Sequence, residues 1–378
     1  MSKQAILPPS MLGMLGGGQL GRFFVIAAHE MGYKVTVLDP DKNSPAGHIA
    51  DVHICAAYDD ENALVEMART CVAITTEFEN VPAKTLEQLA EHCTVRPSAS
   101  AVAIAQNRVR EKNFFKDAGL PVGMFEVVES ENDLPQDDSG IYPAILKVAR
   151  FGYDGKGQAR VKSRSEAREA FARFNNETCV LEQMLELDYE VSVVLARDAD
   201  GNVAAFPLAE NSHLNGILDV TIAPARATEV IKARAQALAT TVAEKLDYVG
   251  VLGVEFFVSK GKLLVNEMAP RPHNSGHYTI DACVTNQFEQ QVRALTGLPL
   301  GDSQLHSHAV MVNILGDVWN GSEPAWDKLF AHPDLKLHLY GKHEARPGRK
   351  MGHFTVLGRD ADGAINQALI ARAELGIG

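Results

Sequence analysis

Ile145-Leu-Lys-Val-Ala-Arg-Phe-Gly-Tyr-Asp-Gly-Lys-Gly-Gln158 is the stretch whose meaning settles the rest of the chain. A short apolar run carrying Lys147 feeds a loop with Gly152, Gly155 and Gly157. Glycines at this density let a backbone fold back sharply and bring its amides close to an anion. Lys147 and Lys156 add positive charge on either side. A mobile surface hairpin and a phosphate cradle both fit such a loop, and the surrounding chain has to decide between them.

The chain has 378 residues, enough for roughly two or three domains with buried cores. Hydrophobic residues make up 46% and charged ones 22%, an ordinary globular composition. A net charge of −12 argues against nucleic-acid and anionic-membrane partners, which need a broad basic face. Cys55, Cys71, Cys93, Cys179 and Cys283 form no Cys-x-x-Cys pair, so reduced, mostly buried thiols in a cytoplasmic protein are expected. No uncharged apolar run approaches the ~18 residues of a membrane span, and residues 1–10 lack the pattern of a signal peptide.

Upstream of the loop, residues 11–15 read as a buried strand, 16–21 (Gly-Gly-Gly-Gln-Leu-Gly) as a tight turn opening a helix, and 34–38 as a second strand ending in Asp39-Pro40. This is the outline of a dinucleotide-binding unit without a clear Gly-x-Gly-x-x-Gly. Strand-like runs at 53–57 and 72–76 alternate with helices at 61–69 and 84–92, giving a parallel α/β domain. Glu77, Glu79 and Asn80 follow its fourth strand, where ligands of open α/β sheets collect. A helix over about 100–118 carries Arg108 and stops at Gly119-Leu120-Pro121.

Beyond it the pattern becomes antiparallel α+β. Strands are expected at 125–128, 142–148 and 179–184, and a helix at 165–174. A hairpin pairs 190–196 with 203–207, and a helix over 229–246 leads to strands 251–258 and 262–267 joined at Lys260-Gly261. A helix at about 281–295 closes this part. The C-terminal stretch holds a strand at 308–314, a helix near 326–330, a basic run and an Ala-rich helix.

Glu255 and Glu267 fall nearly opposite each other across the hairpin centred on Gly261. Like charges placed there repel, so with Asn266 beside them they suit a hard dication such as Mg²⁺. Lys342, His343, Arg346, Arg349, Lys350 and His353 concentrate positive charge in an acidic protein, and Arg346-Pro-Gly-Arg349 can aim two guanidiniums at one phosphate. His273 and His277 stand four apart, but no third zinc ligand is near and substrate contact by Arg271, His273 and Asn274 suits them better. A P-loop motif and a Ser/His/Asp signature are both absent from the sequence.

Five motifs, taken in order, resemble the ATP-grasp superfamily and within it the 5-(carboxyamino)imidazole ribonucleotide synthases of purine biosynthesis. They are the turn at 16–21, Glu-Phe-Glu-Asn-Val-Pro at 77–82, the glycine loop at 152–158, residues 266–277 and Arg-Pro-Gly-Arg-Lys at 346–350. The resemblance implies an ATP-grasp fold, α/β and α+β, with an N-terminal doubly wound parallel-sheet domain (1–108), a central ATP-grasp domain (109–300) and a small C-terminal domain (301–378). It implies ATP and Mg²⁺ as cofactors, bicarbonate and 5-aminoimidazole ribonucleotide as substrates, and a homodimer. Carried over by position, Arg108, Lys147, Gly152, Tyr153, Asp154, Gly155, Lys156, Gly157, Gln158, Glu182, Gln183, Met184, Leu185, Glu190, His213, Asn266 and Glu267 would meet ATP. Glu182 and Glu190 would accept the ribose hydroxyls, and Glu255 and Glu267 would hold the metal. Tyr153, Asp154, Arg271, His273 and Asn274 would surround bicarbonate and the reacting amine. Gly18, Gln19, Glu77, Lys342, Arg346, Arg349 and Lys350 would hold the ribonucleotide. The competing readings are another ATP-grasp carboxylate–amine ligase, such as formate-dependent glycinamide ribonucleotide transformylase, a nicotinamide dehydrogenase resting on the first glycine turn, and a nucleotide sensor of the same fold without catalysis.

Overall fold

Five parallel strands, β1 (Met11–Leu15), β2 (Lys34–Leu38), β3 (Val52–Ile54), β4 (Ala73–Thr76) and β5 (Thr94–Val95), form the N-terminal sheet in the order β3-β2-β1-β4-β5. The central β1 is buried from Leu12 to Leu15, as a strand covered on both faces must be. The computed structural model describes residues 5–78, 80–150 and 157–377. Phe24, Ala27 and Ala28 of the helix Gln19–Glu30 share a core with β1 and β2, and the same core takes in Phe288, Val292 and Leu295 of the helix Gln287–Thr296. That shared helix ties the N-terminal sheet to the rest of the molecule.

Four antiparallel strands follow: β6 (Phe125–Val128), β7 (Ala144–Val148), β8 (Gln158–Val161) and β9 (Cys179–Gln183), in the order β6-β9-β7-β8. The helix Arg164–Arg173 covers them through Ala167, Ala170 and Phe171. The largest sheet holds β10 (Tyr189–Arg197), β11 (Val203–Ala205), β12 (Ala209–Leu214), β13 (Ile217–Ala223), β14 (Gly250–Ser259), β15 (Lys262–Ala269), β16 (His308–Leu315), β17 (Leu335–Leu339) and β18 (Lys350–Gly358). Its order is β15-β14-β10-β12-β13-β16-β18-β17, with β11 paired to β10. The main core packs the helix Glu229–Lys245 and Phe115 onto β10, β14 and β15.

Several expectations need correction. The helix expected over 100–118 is two helices, Ala99–Ala105 and Arg108–Asp117, because the Asn107 side chain accepts the Val109 and Arg110 amides and starts a new helix. The helix expected at 281–295 is likewise a short turn, Thr279–Ala282, and then Gln287–Thr296, capped by Asn286. The strand expected at 53–57 ends at Ile54. Strands β12 and β13 were not foreseen, and β17 and β18 enclose the basic run. The last three strands make no sheet of their own, since β16 pairs with β13 and continues the central sheet.

At the junction of these parts sits an aromatic nest. Phe23 makes ring contacts with His277, Phe288, His338, Tyr340 and His353 at centroid distances of 5.1–5.9 Å. Among the described residues no helix is long and apolar enough to cross a membrane. All five cysteines are free; three are buried, Cys93 is half-buried and Cys55 is exposed.

Candidate active site

A cavity of about 400 Å³ opens between the β6–β9 sheet and the β14–β15 edge of the large sheet. Lys147 and Gln158 reach it from one side, and Glu190, His213, Glu255 and Glu267 from the other. Arg108 enters at the first turn of its helix, where its amide donates to the Ala149 carbonyl and so fastens that helix to the end of β7.

The charges are built around Glu182 in β9. Its Oε2 lies 3.1 Å from both Lys147 Nζ and Lys112 Nζ, and Arg108 Nη1 stands 3.9 Å from Oε1. Burial alone would raise the Glu182 carboxyl, but Lys112, Lys147 and Arg108 outweigh it and hold it at about 2. Burial lowers Lys147, with Glu182 opposing the shift. Arg108 also faces Glu267 at 3.6 Å. One residue away from Lys112, Glu111 goes the other way. Burial, with Glu267 adding to it, pushes its carboxyl up to about 8, although Oε1 accepts the Met268 amide at 2.7 Å. Two buried carboxyls close together are thus shifted in opposite directions.

The pairing expected across the hairpin is present: Glu255 faces Glu267 in the β14–β15 ladder, next to a bulge. Asn266 Oδ1, from the residue before Glu267 at the bulge, is buried with no hydrogen-bond partner. Two carboxylates and an unsatisfied amide oxygen form a donor set that fits a hard dication. Glu255 is held at about 2: burial works against ionisation, and His273 and His213 overcome it. His273 Nε2 approaches Glu255 Oε1 to 3.2 Å. Gly253 permits this, because a Cβ there would fall 2.8 Å from His273 Cβ. Glu190 Oε2 stands 3.1 Å from His213 Nδ1; burial lowers this imidazole, and Glu190 and Glu255 more than reverse that.

Arg271, His273, Asn274 and Lys350 also line the cavity, as do Gly157, Gln158 and Asn80. Asn274 is locked by a reciprocal amide pair with Asn313, at 2.8 and 3.2 Å. Gln183, the last residue of β9, and Met184 and Leu185 after it do not line the cavity, and Leu187 does. Glu182 does not line it either, being turned toward the two ammonium groups. Gly152, Tyr153, Asp154, Gly155 and Lys156 lie outside the described residues, as does Glu79.

The first glycine turn is occupied by the protein itself. The Gly18 and Gly21 amides both donate to Glu77, and the Gly17 amide donates to Asp39 Oδ2 at 2.7 Å. A Cβ on Gly18 would collide with Glu77 Oε1 at 2.5 Å. The helix N-terminus that a dinucleotide pyrophosphate would need is therefore filled by carboxylates, which removes the structural basis of the dehydrogenase reading. Burial raises the Glu77 carboxyl, opposed by the two amides and by Lys342. Gln19 starts the helix beyond this turn. Of the basic run, Lys342 Nζ donates to the Lys350 carbonyl at 2.7 Å, Arg349 donates to the Glu344 carbonyl at 2.9 Å, and Arg346 pairs with Glu344 at 3.4 Å.

Sequence reasoning missed Lys112, whose ammonium also donates to the Asn266 carbonyl at 2.9 Å, and Gln287, whose amide clasps both backbone groups of His273. His277 is fully buried in the aromatic nest, apart from the cleft. Among the described residues, Asp281, His338 and His353 bring ligand-type atoms within 4.8 Å of one another. The two imidazoles stack 4.7 Å apart at 21°, so their lone pairs run side by side rather than toward one point.

A cleft between two antiparallel sheets, with a buried lysine–glutamate centre and an acid pair on the opposite strands, defines an ATP-grasp enzyme. The family model described as the ATP-grasp domain matches residues 113–288, the ribonucleotide synthetase preATP-grasp domain matches 10–106, and the phosphoribosylaminoimidazole carboxylase C-terminal domain matches 309–367. The chain is 44% identical to N5-carboxyaminoimidazole ribonucleotide synthase of Bacillus subtilis, covering 96% of this chain and 95% of the relative. It is 46% identical to that of Brucella melitensis, over 94% and 98%. A crystal structure of an ADP complex of an N5-carboxyaminoimidazole ribonucleotide synthetase superposes with a TM-score of 0.92 at 43% identity, covering 98% of each chain. The Aspergillus clavatus synthase in complex with ADP and 5-aminoimidazole ribonucleotide gives 0.87 at 30%, over 97% and 98%. The chain belongs to the N5-carboxyaminoimidazole ribonucleotide synthase family and is an ATP-dependent ligase.

Proposed function

We infer that this protein carboxylates the exocyclic amine of 5-aminoimidazole ribonucleotide with bicarbonate, at the expense of ATP. The products are N5-carboxyaminoimidazole ribonucleotide, ADP and phosphate. The observation that carries the reading is a cleft lined by the facing pair Glu255 and Glu267 together with Lys147 and Arg108. Paired acids and cations lining one cleft suit a nucleotide triphosphate with its metal.

Bicarbonate is a poor electrophile. Its oxygen attacks the γ-phosphorus, the bond to the β-phosphate oxygen breaks and ADP leaves, giving carboxyphosphate. The amine nitrogen then attacks the carboxyl carbon, or the CO₂ released from it, as phosphate departs and the amine gives up a proton. Mg²⁺ held by Glu255 and Glu267, with Asn266 Oδ1 assisting, would neutralise phosphate oxygens during this transfer. Arg108, Lys147, Gly157, Gln158, Glu190 and His213 would bind ATP, with Gln183, Met184 and Leu185 beside the base and the loop 152–156 over the phosphates. Its ribose is then left to Glu190, because Glu182 serves as the counter-ion that holds Lys147 and Lys112 in place. Arg271, His273 and Asn274, together with Tyr153 and Asp154, would surround bicarbonate and the amine. Gly18, Gln19, Glu77 and the basic residues Lys342, Arg346, Arg349 and Lys350 would take the ribonucleotide. The bounds 1–108, 109–300 and 301–378, a homodimer and a cytoplasmic location complete the proposal.

The test is ADP release measured with each substrate omitted in turn. ADP formed only when bicarbonate and 5-aminoimidazole ribonucleotide are both present supports the reading. Release with glycinamide ribonucleotide and formate instead would replace it with the sibling activity.

A further inference from the structure

Behind His273 a run of hydrogen bonds leaves the cleft and crosses the large sheet. His273 Nδ1 lies 2.8 Å from Ser275 Oγ, and Ser275 Oγ lies 2.7 Å from Ser192 Oγ in β10. Asn211 Nδ2 in β12 donates to Ser192 Oγ at 2.8 Å, and Thr221 Oγ1 in β13 donates to Asn211 Oδ1 at 3.0 Å. Ser275, Ser192 and Thr221 are at most 1% exposed, and Asn211 is 7% exposed. Bulk water therefore does not compete for these bonds, and each hydrogen has to be assigned within the run.

The assignment is determined at the histidine. The Ser275 backbone N–H also points at Nδ1, at 3.4 Å, and a backbone amide can only donate. Nδ1 is thus the bare, accepting nitrogen. The other nitrogen, Nε2, faces a carboxylate, which can only accept. With Nδ1 accepting, the Ser275 hydroxyl must give its hydrogen to the ring and take one from Ser192. Ser192 in turn takes one from the Asn211 amide, whose oxygen takes that of Thr221. Every donor in the run points toward His273.

We propose that Ser275, Ser192 and Asn211 are positioning residues that anchor the ring of His273 in its Nε2–H tautomer, so that it faces the cleft with its one N–H on Glu255. This deepens the reading of His273 proposed above and rests on it for its meaning in the reaction. A ring held this way has no lone pair facing the cleft to accept the amine proton. Gln287 supports the arrangement by clasping the His273 backbone from the opposite side.

The tautomer is read directly from nitrogen–proton correlation spectra of the protein labelled with ¹⁵N-histidine, His273 being assigned by its disappearance in His273→Gln. The spectrum of the unsubstituted protein is expected to show a protonated Nε2 and a bare Nδ1. In Ser275→Ala the backbone amide and Glu255 remain, so Nε2 should keep its proton while the ring loses its hydroxyl anchor, with kcat reduced about 10- to 100-fold and KM for ATP unchanged. Ser192→Ala, one bond further out, should lower kcat by less. A protonated Nδ1 in the unsubstituted protein overturns the proposal even if Ser275→Ala fails to fold. So does an unchanged kcat in a folded Ser275→Ala. The spectrum needs no turnover, so failure of the ADP-release assay would remove the assigned reaction and leave the tautomer result standing.

Discussion

The N-terminal glycine turn and the central cleft both set nitrogen donors where an anion can sit, and they end differently. At the turn, Asp39 and Glu77 follow the two strands that flank β1, β2 and β4, and take the Gly17, Gly18 and Gly21 amides. A helix N-terminus carries roughly half a positive charge, so an internal carboxylate is enough to saturate it. In the cleft, Lys112, Lys147 and Arg108 carry three full charges around Glu182, with Glu267 also reached by Arg108. One carboxylate cannot balance them. A glycine-rich turn is therefore no guide to anion binding until the protein's own acids have been placed.

Changes on the two sides of this contrast should separate in size and kind. The largest effect is expected for Glu267→Ala, which removes half of the acid pair: ADP release should fall about 10³–10⁴-fold. The melting temperature should stay within a few degrees. An active variant would remove the metal assignment. Glu182→Leu leaves two ammonium groups buried without their acid, and should cost about 3–5 kcal/mol in denaturant unfolding. A near-neutral result would mean that the cleft cations do not depend on Glu182.

At the turn, Glu77→Ala orphans the Gly18 and Gly21 amides and should cost about 2 kcal/mol. It should also make inorganic pyrophosphate raise the melting temperature further than it does in the unsubstituted protein, where only the cleft cations are open to it. An equal shift in both proteins would erase the contrast. The last effect is spread over a pH range and concerns Glu111. Its folded carboxyl is pushed up to about 8, so the folded state holds that proton longer than the unfolded chain does. Stability is then lost as pH rises from about 4.5 to about 8, by up to about 1.4 kcal/mol per pH unit. Glu111→Gln lacks this loss, so its stability relative to the unsubstituted protein should grow across that window and level off above it. A flat difference between the two unfolding curves would place Glu111 outside the network.

Much of the fold was legible because its signals are local. The apolar run of β1, the Lys260-Gly261 turn and the Asp-Gly-Asn hairpin each lie within a few residues. Strands β12 and β13 escaped notice for a physical reason. They bury Asn211 and Thr221 among their inward residues, which breaks the apolar alternation that announces a strand. The residues that hid these strands are the ones that extend behind His273. The breaks at Asn107 and Asn286 were readable as caps, but the apolar periodicity on either side ran across them. In the candidate site, the Glu255–Glu267 pairing was legible, since a tight hairpin sets its own register.

Lys112 and Gln287 were not legible. Nothing nearby in sequence marks either one, and the groups they meet lie far along the chain: Glu182 and the Asn266 carbonyl for Lys112, and the backbone of His273 for Gln287. By itself the sequence determined most of the elements, the facing acids and the family, because those depend on neighbours along the chain and on motifs in order. Tertiary structure alone decided that Glu182 is a counter-ion, that burial raises the Glu111 carboxyl and that Asp39 and Glu77 take the amides of the first glycine turn. Those outcomes depend on burial and on distances between charges from separate strands and helices, and neither exists until the sheets have packed.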